Sequence, residues 1–263
     1  MFGNLKPYPV DTILSLVKAF REDPREGKID LGVGVYKNAD GVTPIMGAVK
    51  TAEKQLWELE SSKSYVALSG DPAFSDVMID LVLGESVERG KIAAAATPGG
   101  TGAIRQAFEL VKMASPDARV FVSNPTWPNH VSILDYLGME HVAYRYFDSE
   151  TRSVDFDGMM ADLAQAGPGD IVLVHGCCHN PTGIDPTAEE WEALAKLVAE
   201  KKLLPLFDFA YQGFAKGVED DAAGLRTFAK YNKEILVASS FSKNFQKKYS
   251  ISPSQMRLKH LAY

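Results

Sequence analysis

Apolar and polar positions change rhythm once along this chain. Before residue 90 the apolar residues recur at helical spacing. Asp11 can cap a run holding Ile13, Leu14, Leu16, Val17 and Phe20, stopped near Pro24. Asp71 followed by Pro72 opens a second helix, with Phe74, Val77, Met78, Leu81 and Val82 on one face. Gly47 to Leu59 carries a weaker helical pattern, and Leu31 to Tyr36 reads as a short extended piece. From Ile92 the apolar residues come in unbroken runs: Ile92–Ala96, Arg119–Val122, Val142–Phe147, Ile171–His175, Leu203–Phe207 and Ile235–Ala238. Helical stretches near 102–113, 128–137, 157–166, 187–201 and 221–231 separate them. In the fourth, Thr187 and Glu190 form a capping box ahead of Trp191, Leu194, Ala195, Leu197 and Val198. Continuous apolar strands, each followed by a helix, predict an α/β fold: a mainly parallel sheet with helices on both faces. Pro205 fits poorly inside its strand, because proline cannot donate to a ladder. No internal repeat and no Gly/Ser or Pro linker divides the chain. Gln246 to Tyr263 differ from the rest, with Lys247, Lys248, Arg257 and Lys259 and no acidic residue.

Composition narrows the partners. With 46% hydrophobic and 24% charged residues over 263 positions, the chain can bury a large core. A formal charge of -6 argues against nucleic acid or an anionic membrane, which call for excess Lys and Arg. No run reaches the length of a membrane span, and Met1 to Val10 lack the blocks of a signal peptide. The two cysteines, Cys177 and Cys178, are neighbours and make neither a disulfide framework nor a spaced metal site. A cytoplasmic protein without a metal is expected.

In open parallel sheets, ligands bind beyond the carboxyl ends of the strands, so the residues after each strand matter most. Thr97-Pro-Gly-Gly-Thr-Gly102 is a glycine-rich turn opening a helix, which suits a phosphate or simply makes a turn. Asn124-Pro-Thr-Trp-Pro-Asn-His130 holds an aromatic between two prolines, a stacking platform or a core residue. His179-Asn-Pro-Thr-Gly183 places an amide at a strand tip. Asp208-Phe-Ala-Tyr-Gln-Gly213 ends an apolar strand with a carboxylate, uncommon unless paired or functional. Ser239-Ser-Phe-Ser-Lys-Asn244 puts a lysine at the tip of the last strand, where burial lowers an amine's pKa and makes it a nucleophile toward carbonyls. A dinucleotide site at Gly99–Gly102 is the weaker alternative, since the turn is not G-x-G-x-x-G.

Together these segments resemble class I aminotransferases of fold type I, nearest to bacterial aspartate and aromatic-amino-acid aminotransferases. Asn180-Pro-Thr-Gly183, Asp208-Phe-Ala-Tyr211 and Ser240-Phe-Ser-Lys-Asn-Phe245 carry the likeness, which runs from Met1 to Phe245. The resemblance implies residues 1–45 as part of a small domain, 46–245 as a large domain that binds pyridoxal 5'-phosphate, and 246–263 as a tail foreign to the family. It implies Lys243 as the catalytic residue that carries the cofactor covalently and shuttles a proton between the substrate α-carbon and C4′. Asp208 pairs with the pyridinium nitrogen, with His130 behind it. Asn180 and Tyr211 bond the ring's phenolic oxygen, and Trp127 stacks on the ring. Gly100, Thr101 and Ser240 hold the phosphate, and Tyr65 reaches the phosphate of a neighbouring subunit in a homodimer. Trp127, Asn180 and Gly34 are implied at the substrate. The implied activity moves an amino group from aspartate or an aromatic amino acid to 2-oxoglutarate in a ping-pong cycle. After Phe245 the family's glycine and phosphate-binding arginine are replaced by Gln246-Lys-Lys-Tyr249, and the family's last third has no counterpart. A truncated or frameshifted member is therefore expected, with impaired turnover or, alternatively, cofactor binding without catalysis.

Overall fold

The computed structural model describes residues 12–29, 38, 40–241 and 243, with the side chains of residues 12–14 left aside. It divides into two compact units, Met1–Met46 and Gly47–Tyr263. In the first, α1 (Thr12–Glu22) follows the expected apolar spacing. Asp11, the extended piece Leu31 to Tyr36 with Gly34, and the tail from Gln246 lie outside the described residues.

The second unit begins with α2 (Gly47–Leu59) and α3 (Pro72–Leu83), whose cap forms as expected when Asp71 accepts the Ala73 N–H. The face expected to be buried on α3 is only partly so. Val82 is buried, whereas Phe74 and Val77 are half or more exposed. After α4 (Gly99–Ala114) come β1 (Val120–Asn124), α5 (Pro128–Leu137) and β2 (His141–Arg145). A hairpin of β3 (Phe147–Asp148) and β4 (Ser153–Val154) leads to α6 (Phe156–Leu163) and β5 (Ile171–His175). Then follow α7 (Ala188–Glu200), β6 (Leu204–Phe209), α8 (Val218–Asp221), α9 (Ala223–Tyr231) and β7 (Leu236–Ser239). Among the described residues no helix is long and apolar enough to cross a membrane.

Five strands form one parallel sheet in the order β2-β1-β5-β6-β7. Successive side chains of a strand face opposite sides, so one sheet feeds two cores. Ile171, Leu173 and Leu206 pack with Ile104, Phe108 and Val111 of α4 and Leu134 of α5. Val172, Val174 and Phe207 pack on the other side with Met159, Leu194 and Phe228. The expected α/β architecture, helices on both faces of a parallel sheet, is what the chain adopts. At about 25 cal/mol per Å² of apolar surface, each fully buried side chain of these layers contributes roughly 1.5–3 kcal/mol.

Two details differ from expectation. Ile92–Ala96 forms no strand and pairs with none among the described residues, and Ala93 to Ala96 are exposed. An alanine run offers little side-chain surface to hold a strand in place. Pro205, by contrast, is accommodated within the ladder. The Leu204 N–H points to β5, donating to the Asp170 carbonyl, so the next nitrogen faces β7. There the β6–β7 ladder begins only at Leu206 opposite Leu236, and no donor is required of Pro205.

Candidate active site

The strand order turns between β1 and β5, and the carboxyl ends of the sheet border a cleft of about 320 Å³. The start of α4 forms one wall. Pro98 is its N-cap without a side-chain bond, and Gly99 takes φ 68°, a left-handed conformation that glycine adopts freely. Gly100 lies in close approach: a Cβ there would stand 3.3 Å from the Cβ of Ser240, beyond the end of β7, a tight contact. Early amides of a 16-residue helix, left without intrahelical acceptors, thus border the cleft beside a serine and Thr101.

Asp208, near the end of β6, faces the opposite wall. Its Oδ2 lies 2.8 Å from Nε2 of His130, a fully buried residue on α5. A line of hydrogen bonds continues behind the imidazole. His130 Nδ1 lies 2.9 Å from Thr126 Oγ1, which lies 3.3 Å from His175 Nε2. His175 Nδ1 accepts the backbone N–H of Asn180 at 3.1 Å. Burial holds the His175 pKa down at about 4, so the ring is neutral near pH 7. With Nδ1 accepting, its proton sits on Nε2 and is donated to Thr126. The Thr126 hydroxyl then donates to His130, which leaves the His130 proton on Nε2, directed at the Asp208 carboxylate. Every donor in the line points toward Asp208.

Asn180 lines the cleft from the loop after β5. That loop is held from behind. The Asp185 carboxylate accepts the N–H of Cys178 at 2.7 Å and of His179 at 2.9 Å. Cys178 itself takes φ 48°. Both cysteines are free thiols, and Cys177 lines the cleft, with the hydrogen bond to the neighbouring Cys178 thiol and then burial pushing its pKa up.

Lys243 is half-buried in the cleft, its Nζ 5.4 Å from the ring centroid of Tyr211. Burial lowers the pKa of this amine, and the Asp208 carboxylate partly offsets the shift. Burial likewise raises the Tyr211 phenol, followed by the negative charge of Asp208. The cleft therefore holds an amine made more nucleophilic, a carboxylate, a phenol, an amide and helix-start N–H groups.

Of the residues singled out from sequence, Gly100, Thr101, Trp127, Asn180, Asp208, Tyr211, Ser240 and Lys243 line this one cleft. His130 stands directly behind Asp208, with the Trp127 ring edge-on at 5.2 Å. Tyr65 is not among the cleft residues and is 99% exposed. Gly34 lies outside the described residues. Sequence reasoning missed Thr126, His175 and Cys177. His175 ends β5, and a search confined to residues after each strand starts one position too late to include it. Thr126 stands inside the quoted Asn124–His130 motif, but nothing local marks its partner 49 residues away.

A parallel sheet with a lysine, an acid and a helix start converging beyond its strand ends defines an enzyme-like cofactor cleft. The family model for aminotransferase class I and II matches residues 26–246. The chain belongs to that family. It is 57% identical to an aromatic-amino-acid aminotransferase of Paracoccus denitrificans over 245 residues, 93% of this chain and 62% of the relative. An aspartate aminotransferase of Salmonella typhi is 51% identical over 248 residues, 93% of this chain and 63% of the relative. Among solved structures, the aromatic-amino-acid aminotransferase of Burkholderia pseudomallei, described as covalently bound to pyridoxal phosphate, matches with a TM-score of 0.89. It shows 38% identity, over 100% of this chain and 68% of that one. The chain thus spans about 62% of the length of the Paracoccus relative.

Proposed function

We propose that this chain is the cofactor-binding part of a pyridoxal-phosphate-dependent aminotransferase, with Lys243 as the residue that holds the cofactor. The reaction moves an amino group from aspartate or an aromatic amino acid to 2-oxoglutarate in a ping-pong cycle. One observation carries this reading: Lys243, Asp208 and the amide-rich start of α4 share one cleft. The residues present suit the group. Gly99 and Gly100 leave the helix start bare for a phosphate, and Asp208 is held against Nε2 of the buried His130.

When bound, pyridoxal phosphate draws electron density from the substrate α-carbon into its pyridinium ring. The residues set that chemistry up. Asp208 holds a proton on the ring nitrogen, and His130 fixes the carboxylate in place. Asn180 and Tyr211 would donate to the cofactor's phenolic oxygen, and Trp127 would stack on its ring. Gly100, Thr101 and Ser240 grip the phosphate. With the cofactor bound, Lys243 would hold it and would be the group that moves a proton between the substrate α-carbon and C4′. Trp127 and Asn180 would meet the substrate.

Residues 1–45 belong to a small domain and 46–245 to the large one, with 246–263 a foreign tail. A homodimer is supported by exposed apolar side chains on and after α2, including Leu56, Trp57, Leu59 and Leu68. Tyr65, exposed in the same stretch, reaches the phosphate of the partner subunit. The two free thiols suit the cytoplasm. A second reading is cofactor binding without turnover. Borohydride reduction of the protein with pyridoxal phosphate, then peptide mapping, tests the site. Attachment at Lys243 supports it, and attachment elsewhere or nowhere refutes it. Turnover of aspartate with 2-oxoglutarate separates the two readings.

A further inference from the structure

His179 has no part in the chemistry above, yet its ring is the most fully engaged in the Asn180 loop. It is 1% exposed. Tyr146 stacks on it at 3.8 Å between centroids with 15° between planes, and His175 lies 4.2 Å away at 36°. Two rings so close cannot share one face, so the imidazole is sandwiched. Both of its nitrogens are bonded: Nε2 to Ser123 Oγ on β1 at 2.9 Å, and Nδ1 to Thr182 Oγ1 in the loop at 2.9 Å. The His179 carbonyl accepts the Gly183 N–H at 2.6 Å. The Tyr146 hydroxyl donates to the Ile184 carbonyl at 2.7 Å. Three successive N–H groups are thereby anchored: Cys178 and His179 on Asp185, and Asn180 on His175.

We infer that His179 is a positioning residue, pinning the loop to β1 through Ser123 and so fixing where the Asn180 side-chain amide enters the cleft. The inference rests on the reading of Asn180 as the group that meets the cofactor's phenolic oxygen. The Ser123 bond is the only side-chain hydrogen bond from the ring that leaves the loop. Burial and the nearby histidines press the His179 pKa down to about 2, so it holds the loop as a neutral, hydrogen-bonded spacer. Phenylalanine would keep the stack and lose both bonds. Ser123→Ala would remove the strand bond, together with the Ser123 contact to the Tyr144 phenol, and keep the bond to Thr182.

Two arms test this on the full chain. Without cofactor, amide hydrogen exchange is followed at residues 178–180 and at 172–174 of β5. His179→Phe and Ser123→Ala should speed exchange about tenfold at 178–180 and leave β5 unchanged. With pyridoxal phosphate, the pH midpoint of its absorbance should shift in His179→Phe in the same direction as in Asn180→Ala. The double variant should match Asn180→Ala alone, because His179 would act only through that amide. Unchanged exchange at 178–180 in folded Ser123→Ala, or additive absorbance shifts in the double variant, would overturn the inference. Loss of all cofactor binding in the parent chain would instead sink the proposed function, while the exchange arm still decides whether His179 pins the loop.

Discussion

Thr126→Val keeps the side-chain volume and removes one hydroxyl, which joins two buried imidazoles. His130 is fully buried and His175 is 5% exposed, so solvent cannot replace the lost partner at either ring. The change leaves the His175 Nε2–H without an acceptor and His130 Nδ1 without a donor. A buried polar group left unpaired costs about 1–3 kcal/mol. Two such groups, less some relaxation, give roughly 2–4 kcal/mol of lost stability. For a chain of this length that corresponds to a fall in Tm of about 4–16 °C at roughly 2–4 °C per kcal/mol. Thr126→Ser keeps the hydroxyl and should stay within about 1 kcal/mol of the parent. Urea unfolding of the three proteins, with m-values compared, measures the difference. A valine variant within about 0.5 kcal/mol of the parent, at equal m, would show that the line of hydrogen bonds does not hold this side of the cleft together.

Other expectations follow from the same geometry. His175 is held neutral in the fold, with its pKa near 4 against 6.5 for a free ring. Its contribution is therefore complete above pH 6.5 and is lost as pH falls through 4, a loss of about 3 kcal/mol at 1.4 kcal/mol per pKa unit. Tm measured from pH 7 to 4 should fall less steeply in His175→Gln, and parallel curves would contradict this. Asp208→Asn removes a charge that raises the Lys243 pKa, so that amine should react with an acylating reagent at lower pH than in the parent. An unchanged pH profile of labelling at Lys243 would refute their coupling. In Gly102→Ala the new Cβ would come within 2.9 Å of Pro98 Cδ at the start of α4. Its affinity for pyridoxal phosphate should drop about tenfold, and equal binding by titration would show that the turn has room to give.

Much of the sheet was legible because a buried parallel strand announces itself by an unbroken apolar run. Ile171–His175 was read to the residue, and the capping box at Thr187 and Glu190 forms with both bonds. Ile92–Ala96 misled because apolar composition reports a tendency to be covered, not the presence of a neighbour. Phe74 and Val77 misled likewise: helical periodicity gives the face of α3 but not what lies against it. The cleft residues were found through their positions after strand ends, a local signal. The line through Thr126 and His175 was not, since it joins residues 49 and 78 positions apart that only the folded sheet brings together.

Pro205 also acts as a stop on strand sliding. Were β7 to shift by two residues toward the start of β6, one of its carbonyls would face the proline ring, which has no hydrogen to give. In the present alignment, with Ala238 beside Asp208, the pairing starts at Leu206 opposite Leu236, one residue past the proline. A two-residue slip would carry everything after β7 about 6.5 Å along the sheet at 3.3 Å per residue. The amine of Lys243 would then miss the carboxylate it faces. An imino acid far from the chemistry thus serves as the ruler that sets the lysine's height.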